Sequence, residues 1–491
     1  MSRPHLGKPA TPRRTKIVAT LGPAVDAPET LAALIAAGMN VARVNLSHGT
    51  ADDHRARVVR LREAAAAADV EVGLLVDLQG PKIRTGSFRD GPVELVEGAG
   101  FVLDIACGDD EGDVNRVGCA YAGLASDVVA GDRLLLDDGR LVLEVTGVAG
   151  GRIDTRVEIG GMLSSHKGIN KLGGGLSAPA LTDKDRTDMW LAAELEADYL
   201  ALSFPRSAAD VHEARRLFEK AGGTGRIIAK IERAEAVVAA AEITRAADAI
   251  MVARGDLGVE IGDAELPGVQ KRLIRLARDA DRAVITATQM MQSMVHASQP
   301  TRAEVLDVAN AVIDGTDAVM LSEETAGGSH PVEAVAAMSR ICEGAERQRE
   351  VMAGSYCADE AFSRVDESIA SAAIYVANRL PVKAIAALTE TGDTPLWMSR
   401  AGSGIPIYAM TPHRQTLRRV TLYRGVFPIL FTPTGNDHSA INRALIAVLR
   451  EEEVVAPGDL VIATKGDMTG VHGGTSAMKI LQVDDSPPPA A

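Results

Sequence analysis

The stretch RIIAKIERAEAVVAAAEITRAADAIMVARGD, residues 226–256, shows the pattern on which the predicted fold rests. A short apolar run opens the stretch, a longer helical pattern follows, and a second apolar run closes it. Charged residues stand at the end of both runs. This order is typical of two parallel β-strands connected by a helix, so the stretch predicts an α/β fold.

The same alternation extends from Thr15 to about residue 345 and contains eight apolar runs. They are TKIVATLG at 15–22, NVARVNLS at 40–47, VGLLVDLQG at 72–80, DYLALSF at 198–204, RIIAKIE at 226–232, AIMVARGD at 249–256, AVITATQMM at 283–291 and DAVMLSEET at 317–325. Eight such units predict a (β/α)8 TIM barrel, for which about 250 residues are typical. The segments 15–84 and 177–345 together come close to that length.

Residues 85–176 interrupt the alternation. Glycine and aspartate become more frequent there, and apolar and polar residues alternate with a period of two, as in β-strands. Asp138-Gly139 stands between RLLLD and RLVLEV, which predicts a β-hairpin. We therefore predict a small β-barrel domain inserted after the third barrel strand, and we call residues 85–176 the lid domain.

The chain after the barrel shows a second α/β pattern. Its predicted strands are VKAIAALT, PIYAMT, VFPILF, DLVIAT and AMKILQV. They predict an open α/β domain over 346–482, which we call the C-terminal domain and expect to be regulatory. Residues 1–14 are predicted to be an N-terminal arm and residues 483–491 a disordered tail.

The composition excludes several classes of partner. The chain of 491 residues has 52 basic and 66 acidic side chains, a net charge of −14, which argues against nucleic acid or an anionic membrane as partner. No apolar run is long enough to span a bilayer. The four cysteines lack CxxC spacing, which favours a cytoplasmic protein with reduced thiols.

Polar residues cluster at the C-terminal ends of the predicted barrel strands, where barrels of this kind build their active sites. They are Arg43, Asn45, Ser47, His48, Asp77, Lys82, Arg84, Lys230, Glu232, Arg254, Gly255, Asp256, Thr288 and Gln289. Any one of them could be a solvated loop residue. Several cations beside several carboxylates on one rim instead predict a polyanionic substrate bound together with a divalent metal ion.

At these residues the chain resembles the pyruvate kinase family. The motifs are RVNLSHG at 43–49, DLQGPKIRTG at 77–86, AKIE at 229–232, MVARGDLGVE at 251–260, TATQMMQSM at 286–294 and MLSEETAGGSHPVEAV at 320–335. They follow in order, and the resemblance covers nearly the whole chain. It implies a bacterial-type enzyme that transfers the phosphoryl group of phosphoenolpyruvate to ADP, giving pyruvate and ATP in the last step of glycolysis.

The resemblance also implies roles for single residues. Glu232 and Asp256 match the ligands of a divalent ion, Mg²⁺ or Mn²⁺. Lys230 matches the lysine that stabilises the transferring phosphoryl group and the enolate, and Arg43 matches a phosphoryl-binding arginine. Thr288 matches a hydroxyl near the methylene carbon of the enolate. A fixed ammonium and a metal ion suit a reaction that spreads charge over phosphoryl oxygens.

Further positions are implied for the substrate carboxylate and the nucleotide. The backbone of Ala253, Gly255 and Asp256 matches the segment that receives the carboxylate. Pro23, His48 and Arg84 match residues on the nucleotide side. The alternative for His48 is a residue that merely starts a helix after Ser47.

One departure from the family concerns K⁺. Many relatives hold this ion with residues matching Asn45, Ser47 and Asp77 and with a threonine at the position of Leu78, and they have an acidic residue at the position of Lys82. Here Leu78 has no side-chain oxygen and Lys82 brings an ammonium of its own. We therefore predict that Lys82 replaces the monovalent ion and that K⁺ is not required. The alternative is a Lys82 that faces solvent.

The turn from Thr389 to Thr394 follows a predicted strand and precedes a predicted helix, a place suited to phosphate. In the resemblance it is the loop that binds a phosphorylated effector, through Thr389, Thr391, Gly392 and Thr394. The alternative is an ordinary helix cap, because Asp393 would repel phosphate. Relatives are generally homotetramers, which the resemblance extends to this chain.

Two other functions compete with this interpretation. Another barrel enzyme that handles pyruvate enolate, such as a metal-dependent aldolase or a phosphoenolpyruvate mutase, would share the carboxylate pair. A catalytically silent regulatory subunit would have lost Lys230, Glu232, Asp256 or Thr288, and all four are present.

Overall fold

The computed structural model describes residues 12–348, 362, 364–433, 437–466 and 473–484. Residues 1–11 of the predicted arm, residues 485–491 of the predicted tail and Cys357 lie outside these ranges. In the described part of the chain, no helix has both the length and the apolar character needed to cross a membrane.

Eight parallel strands close into a barrel, as predicted. They are Lys16–Thr20, Val41–Asn45, Gly73–Asp77, Tyr199–Leu202, Arg226–Ile231, Ala249–Ala253, Ala283–Ala287 and Ala318–Leu321. The first strand pairs with both the second and the eighth, which closes the ring. Each strand lies within one of the eight apolar runs, and nearly all of its residues are buried because helices cover the outer face.

The helices of the barrel follow the strands. They are Pro28–Ala37, Ala51–Ala67, Asp183–Glu194, Ala208–Lys220, Ala234–Val238, Ala240–Ala246, Arg254–Ile261, Leu266–Asp279, Arg302–Asp314, Glu323–Ala326 and Pro331–Glu346, with 3-10 turns at Pro23–Val25 and Gln292–Val295. Several begin with a capping box, in which a threonine hydroxyl and an acidic side chain satisfy free backbone N–H groups.

The insertion forms its own sheets over a separate core. A six-stranded sheet contains Gly100–Asp104, Arg116–Val117, Arg133–Leu136, Leu141–Ala149, Arg152–Ile159 and Ile169–Lys171; Val93–Leu95 pairs with Gly161–Leu163; and Leu124–Asp127 is a short helix. The predicted hairpin is confirmed, since Arg133–Leu136 runs antiparallel to Leu141–Ala149 around Asp138 and Gly139.

The C-terminal domain is a five-stranded sheet with helices on both sides. Its strands lie in the order Val426–Leu430, Ile407–Thr411, Val382–Leu388, Leu460–Gly466 and Thr475–Gln482, the last one antiparallel. Its helices are Val365–Ala377, Asp393–Ala401, Arg414–Val420 and His438–Glu451.

This domain covers the N-terminal ends of the barrel strands. Barrel residues such as Tyr199 share one hydrophobic cluster with Ile385 of the C-terminal sheet. Two buried aspartates fix the contact: Arg400 hydrogen-bonds to Asp317 and Arg418 to Asp198, each aspartate standing just before a barrel strand. The opposite end of the barrel therefore remains for the active site.

Candidate active site

Lys230 lies at the centre of the open rim, near the end of the fifth barrel strand. Its ammonium is 2.9 Å from Glu232 Oε1 and 3.3 Å from Asp77 Oδ1, and it donates to Ser203 Oγ at 2.8 Å. Burial would lower the pKa of Lys230, but the carboxylates of Asp77 and Glu232 outweigh it, and the pKa lies above its ordinary value. The side chain therefore stays positively charged.

Arg43 shares the Asp77 carboxylate with Lys230. Its guanidinium donates from Nε to Asp77 Oδ2 at 2.8 Å and from Nη1 to Thr20 Oγ1 at 3.0 Å. Burial would raise the pKa of Asp77, yet Lys230 and Arg43 together hold it below its ordinary value. The ionised Asp77 thus orients both cations.

Glu232 and Asp256 are the two carboxylates predicted to bind a divalent ion. Glu232 is buried and accepts the backbone N–H of Phe204 at 2.9 Å. Burial and the nearby negative charge of Asp256 raise the pKa of Glu232, although Lys230 opposes this. Because the charge of Asp256 disfavours ionisation of Glu232, a cation between the two carboxylates would stabilise the ionised pair.

The charges of the rim fit a divalent ion. Three cations, Arg43, Lys82 and Lys230, stand beside three carboxylates, Asp77, Glu232 and Asp256, so the set is formally neutral. A phosphorylated, carboxylated substrate would then need a further positive charge. The described residues contain no group of three or more histidine, cysteine or acidic side chains able to cage a metal. Two carboxylates suit Mg²⁺, which takes its remaining ligands from water and substrate.

Thr288 and Gly255 meet at the ends of neighbouring barrel strands. The Gly255 N–H donates to Thr288 Oγ1 at 2.8 Å, and that hydroxyl donates to the Ala287 carbonyl at 2.6 Å. Thr288 has a φ of 68°, a strained value for a β-branched residue. Its carbonyl accepts from Arg254 Nη2 at 2.7 Å, so Arg254 supports this backbone.

Arg254 and Ser203 have contacts that sequence reasoning missed. Its position at the end of the sixth apolar run predicts that Arg254 is a rim cation, but the side chain is buried and paired with Asp307, 2.8 Å away. Ser203 accepts from Lys230 and donates to the Leu78 carbonyl at 2.7 Å. Nothing in the sequence near Ser203 indicates these contacts, because Lys230 lies on the fifth barrel strand and Leu78 directly follows the third.

Lys82 contacts Asp256, one of the two carboxylates predicted to bind the divalent ion, and Asp138 of the lid. Its Nζ lies 3.1 Å from Asp256 Oδ1 and 4.0 Å from Asp138 Oδ1. At the positions equivalent to a K⁺ site, the Ser47 N–H donates to Asn45 Oδ1 at 3.1 Å, and Leu78 is buried. Because of these contacts, Lys82 does not simply face solvent. Its replacement of K⁺ stays a prediction.

The three residues predicted on the nucleotide side are Pro23, His48 and Arg84. All three lie in the described part of the chain, and no hydrogen bond or ion pair there links them to one another. Pro23 and His48 are exposed near the ends of the first and second barrel strands. Arg84 donates from Nη1 to the carbonyl of His166 in the lid domain at 2.9 Å. Their role in binding nucleotide stays a prediction.

The loop at 389–394 begins the helix Asp393–Ala401. Thr389 Oγ1 accepts the Gly392 N–H at 2.9 Å, and Thr391 Oγ1 donates to Asp393 Oδ2 at 2.8 Å. The Thr394 hydroxyl lies 3.1 Å from that of Thr475. Arg226, at the start of the fifth barrel strand, pairs with Asp393 and neutralises the charge that would repel phosphate.

Comparisons with known proteins agree with this geometry. The family model "Pyruvate kinase, barrel domain" matches residues 12–335, and "Pyruvate kinase, alpha/beta domain" matches residues 367–481. The chain belongs to the pyruvate kinase family. It is therefore a phosphotransferase acting on phosphoenolpyruvate and ADP with a divalent metal, which excludes the aldolase, mutase and silent-subunit alternatives.

Individual pyruvate kinases are similar over almost their full length. Pyruvate kinase II of Salmonella typhimurium is 53% identical over 96% of this chain and 99% of its own. A pyruvate kinase of Haemophilus influenzae is 52% identical over 92% and 96%. A crystal structure of a pyruvate kinase from Cryptosporidium parvum, 34% identical, superposes with a TM-score of 0.87 over 96% of both chains.

Proposed function

We propose that Lys230, Arg43 and Thr288 carry the reaction of this pyruvate kinase. The observation that supports this most is the Lys230 ammonium, charged and held between Asp77, Glu232 and Ser203. Lys230 and Arg43 offer preorganised positive charge to the transferring phosphoryl group, and Lys230 also stabilises the enolate left behind. Neither side chain has to desolvate when the substrate arrives.

Glu232 and Asp256 hold the divalent ion, Mg²⁺ or Mn²⁺, in this proposal. When bound, such an ion neutralises charge on the substrate oxygens. The backbone of Ala253, Gly255 and Asp256, where the helix Arg254–Ile261 begins, receives the substrate carboxylate.

Thr288 acts on the proton that converts enolate to pyruvate. Its hydroxyl accepts from Gly255 N–H and donates to the Ala287 carbonyl. A threonine hydroxyl is a poor acid by itself, so Thr288 orders a relay rather than supplying the proton.

The nucleotide binds on the side of Pro23, His48 and Arg84. Because Arg84 is bonded to the His166 carbonyl of the lid domain, the position of the lid affects this side of the site. The proposal also includes regulation, in which a phosphorylated metabolite binds the loop at 389–394. The enzyme assembles as a homotetramer and acts in the cytoplasm.

Lys82 makes the enzyme independent of K⁺. A K⁺ ion and an ammonium about 4 Å apart repel by roughly 4 kcal/mol at an effective dielectric constant of 20. The Lys82 ammonium, close to the rim whether or not it is paired with Asp256, thus supplies the monovalent charge and disfavours K⁺.

The test is ADP-dependent pyruvate formation in buffer free of K⁺, Na⁺ and NH₄⁺. We expect full turnover with Mg²⁺, loss of turnover when a chelator removes it, and no gain from KCl. Lys82→Gln should turn over slowly and regain rate with KCl. A wild-type rate restored manyfold by KCl contradicts the role of Lys82, whereas pyruvate formation without a divalent ion contradicts the metal proposal.

A further inference from the structure

One ammonium links three separate parts of the active site. Lys82 belongs to the segment between the third barrel strand and the lid domain, Asp256 to the helix after the sixth strand, and Asp138 to the tip of the lid hairpin. Lys82 Nζ lies 3.1 Å from Asp256 Oδ1 and 4.0 Å from Asp138 Oδ1.

The stem of Lys82 is packed against the lid. A Cβ placed on Gly168, in the lid, would lie 3.2 Å from Lys82 Cε. The hairpin tip also reaches the barrel, since a Cβ on Gly139 would lie 3.9 Å from Val259 Cγ1. The lid hairpin, Lys82 and the helix Arg254–Ile261 therefore form one contact region.

Lys82 and Lys230 each contact one of the carboxylates proposed to bind the divalent ion, and they differ in how firmly they are held. Lys230 is 12% exposed and has three partners within the barrel. Lys82 is 25% exposed, and its second carboxylate, Asp138, is itself 68% exposed on the lid. Lys82 is thus the lysine that can leave its carboxylate at lower cost.

We propose that Lys82 is an internal counter-cation that competes with the divalent ion for Asp256, and that its release loosens the lid hairpin. The inference rests on the proposed function of Glu232 and Asp256 as ligands of that ion. A divalent ion bound to Asp256 competes for the carboxylate whose Oδ1 Lys82 holds, and the positive charge of the ion repels the ammonium. Without the divalent ion, Lys82 connects Asp256 with Asp138 of the lid. When the ion binds, Lys82 leaves Asp256 and this connection is lost.

Direct binding of Mn²⁺ to the full-length, substrate-free enzyme tests the competition. The free-ion signal in electron paramagnetic resonance gives the dissociation constant. Lys82→Met should bind Mn²⁺ about tenfold more tightly, the scale for removing one repelling charge from a partly buried site. Lys82→Gln serves as a second variant if the first does not fold.

The matched control is Lys167→Met. Lys167 pairs with Asp137 in the same hairpin, at 2.7 Å, so its removal changes the charge of the lid without touching Asp256. We expect unchanged Mn²⁺ affinity. A gain equal to that of Lys82→Met, or no gain in either Lys82 variant, overturns the inference.

Asp256→Asn separates this inference from the proposed metal site. Strongly weakened Mn²⁺ binding supports Asp256 as a ligand, and a Lys82 variant without effect then overturns only the competition. Unchanged Mn²⁺ binding in Asp256→Asn overturns the proposed metal site itself.

Hydrogen exchange tests the link to the lid. In the wild type, Mn²⁺ should speed amide exchange in the hairpin at 133–149, and in Lys82→Met exchange should be fast without the ion. Hairpin exchange that Mn²⁺ leaves unchanged in the wild type overturns the link between metal and lid.

Discussion

The Asp77 carboxylate is shared between Arg43 and Lys230, and this sharing sets the direction of both cations. Lys230 has Glu232 and Ser203 as further partners. Both cations are desolvated and oriented in the free enzyme, so little reorganisation is needed when the phosphoryl group arrives. At the scale of residues, the positive charges of Arg43 and Lys230 are therefore already in place before the substrate binds.

The sequence predicts which residues reach the rim, but not which of them touch. Lys230, Glu232, Asp256 and Thr288 can be placed because they end or follow apolar runs, and strand ends of a barrel share one face. The contact of Lys82 with Asp256 depends on how the segment leading to the lid folds back across the rim. No local pattern in the sequence encodes that path.

At the scale of elements, the segment through which the chain returns from the lid to the barrel is held by one buried glutamate, Glu260. Gly173, Gly174 and Gly175 all have positive φ, at 83°, 78° and 93°, a conformation that favours glycine. The carbonyl of Glu260 accepts the Gly173 N–H at 2.8 Å. Its carboxyl accepts from Ala234 N–H at 2.9 Å and from Asn170 Nδ2 of the lid at 3.5 Å.

Protonation of Glu260 should make the stability of the protein depend on pH. Burial raises the pKa of Glu260 to about 7, against the opposing effects of the Ala234 N–H and Arg233, while Glu235 adds to the rise. The native state then binds a proton that the unfolded state releases near its ordinary pKa. The contribution of Glu260 to stability is therefore fully present below about pH 4.5 and is lost as the pH rises to about 7.

Glu260→Gln removes this titration while keeping a hydrogen-bonding side chain. The unfolding free energy of the wild type should fall relative to Glu260→Gln between pH 4 and 8, by about 3 kcal/mol at 1.36 kcal/mol per pKa unit. Calorimetry of both proteins across this range measures the difference. Parallel pH profiles would show that Glu260 is ionised throughout.

Elements were easier to predict from the sequence than their contacts. The eight barrel strands and the lid hairpin follow from apolar runs and from Asp138-Gly139, because local patterning decides them. The contacts of Glu260 could not be predicted, since Asn170 and Glu260 meet only after the lid has folded against the barrel.

At the scale of the whole molecule, one barrel strand connects the C-terminal domain with Lys230, the lysine proposed to act in catalysis. Arg226 begins the strand Arg226–Ile231 and pairs with Asp393 beside the loop at 389–394, while Lys230 lies near its other end. Arg226 also donates to the Tyr423 hydroxyl at 2.9 Å. A phosphate that draws Arg226 away from Asp393 would act directly on the start of the strand that contains Lys230.

Arg226→Met should uncouple the effector from the active site. We expect at least one phosphorylated metabolite to shift half-saturation by phosphoenolpyruvate in the wild type, and the shift to disappear in Arg226→Met because the loop no longer bonds to the strand. Arg216→Met, which changes an exposed arginine on the helix Ala208–Lys220, should respond like the wild type. Wild-type saturation curves unchanged by every metabolite tested would contradict the regulatory proposal.

The central claim, that a charged Lys230 stabilises the transferring phosphoryl group, is tested most directly by turnover of Lys230→Met. Methionine keeps much of the side-chain length and removes the charge. We predict that kcat falls by at least about 10³-fold, the scale of losing one preorganised charge at the transition state. Lys220→Met, which removes an exposed lysine at the end of the helix Ala208–Lys220, should keep the wild-type rate. A folded Lys230→Met enzyme with a near-normal kcat would contradict the account.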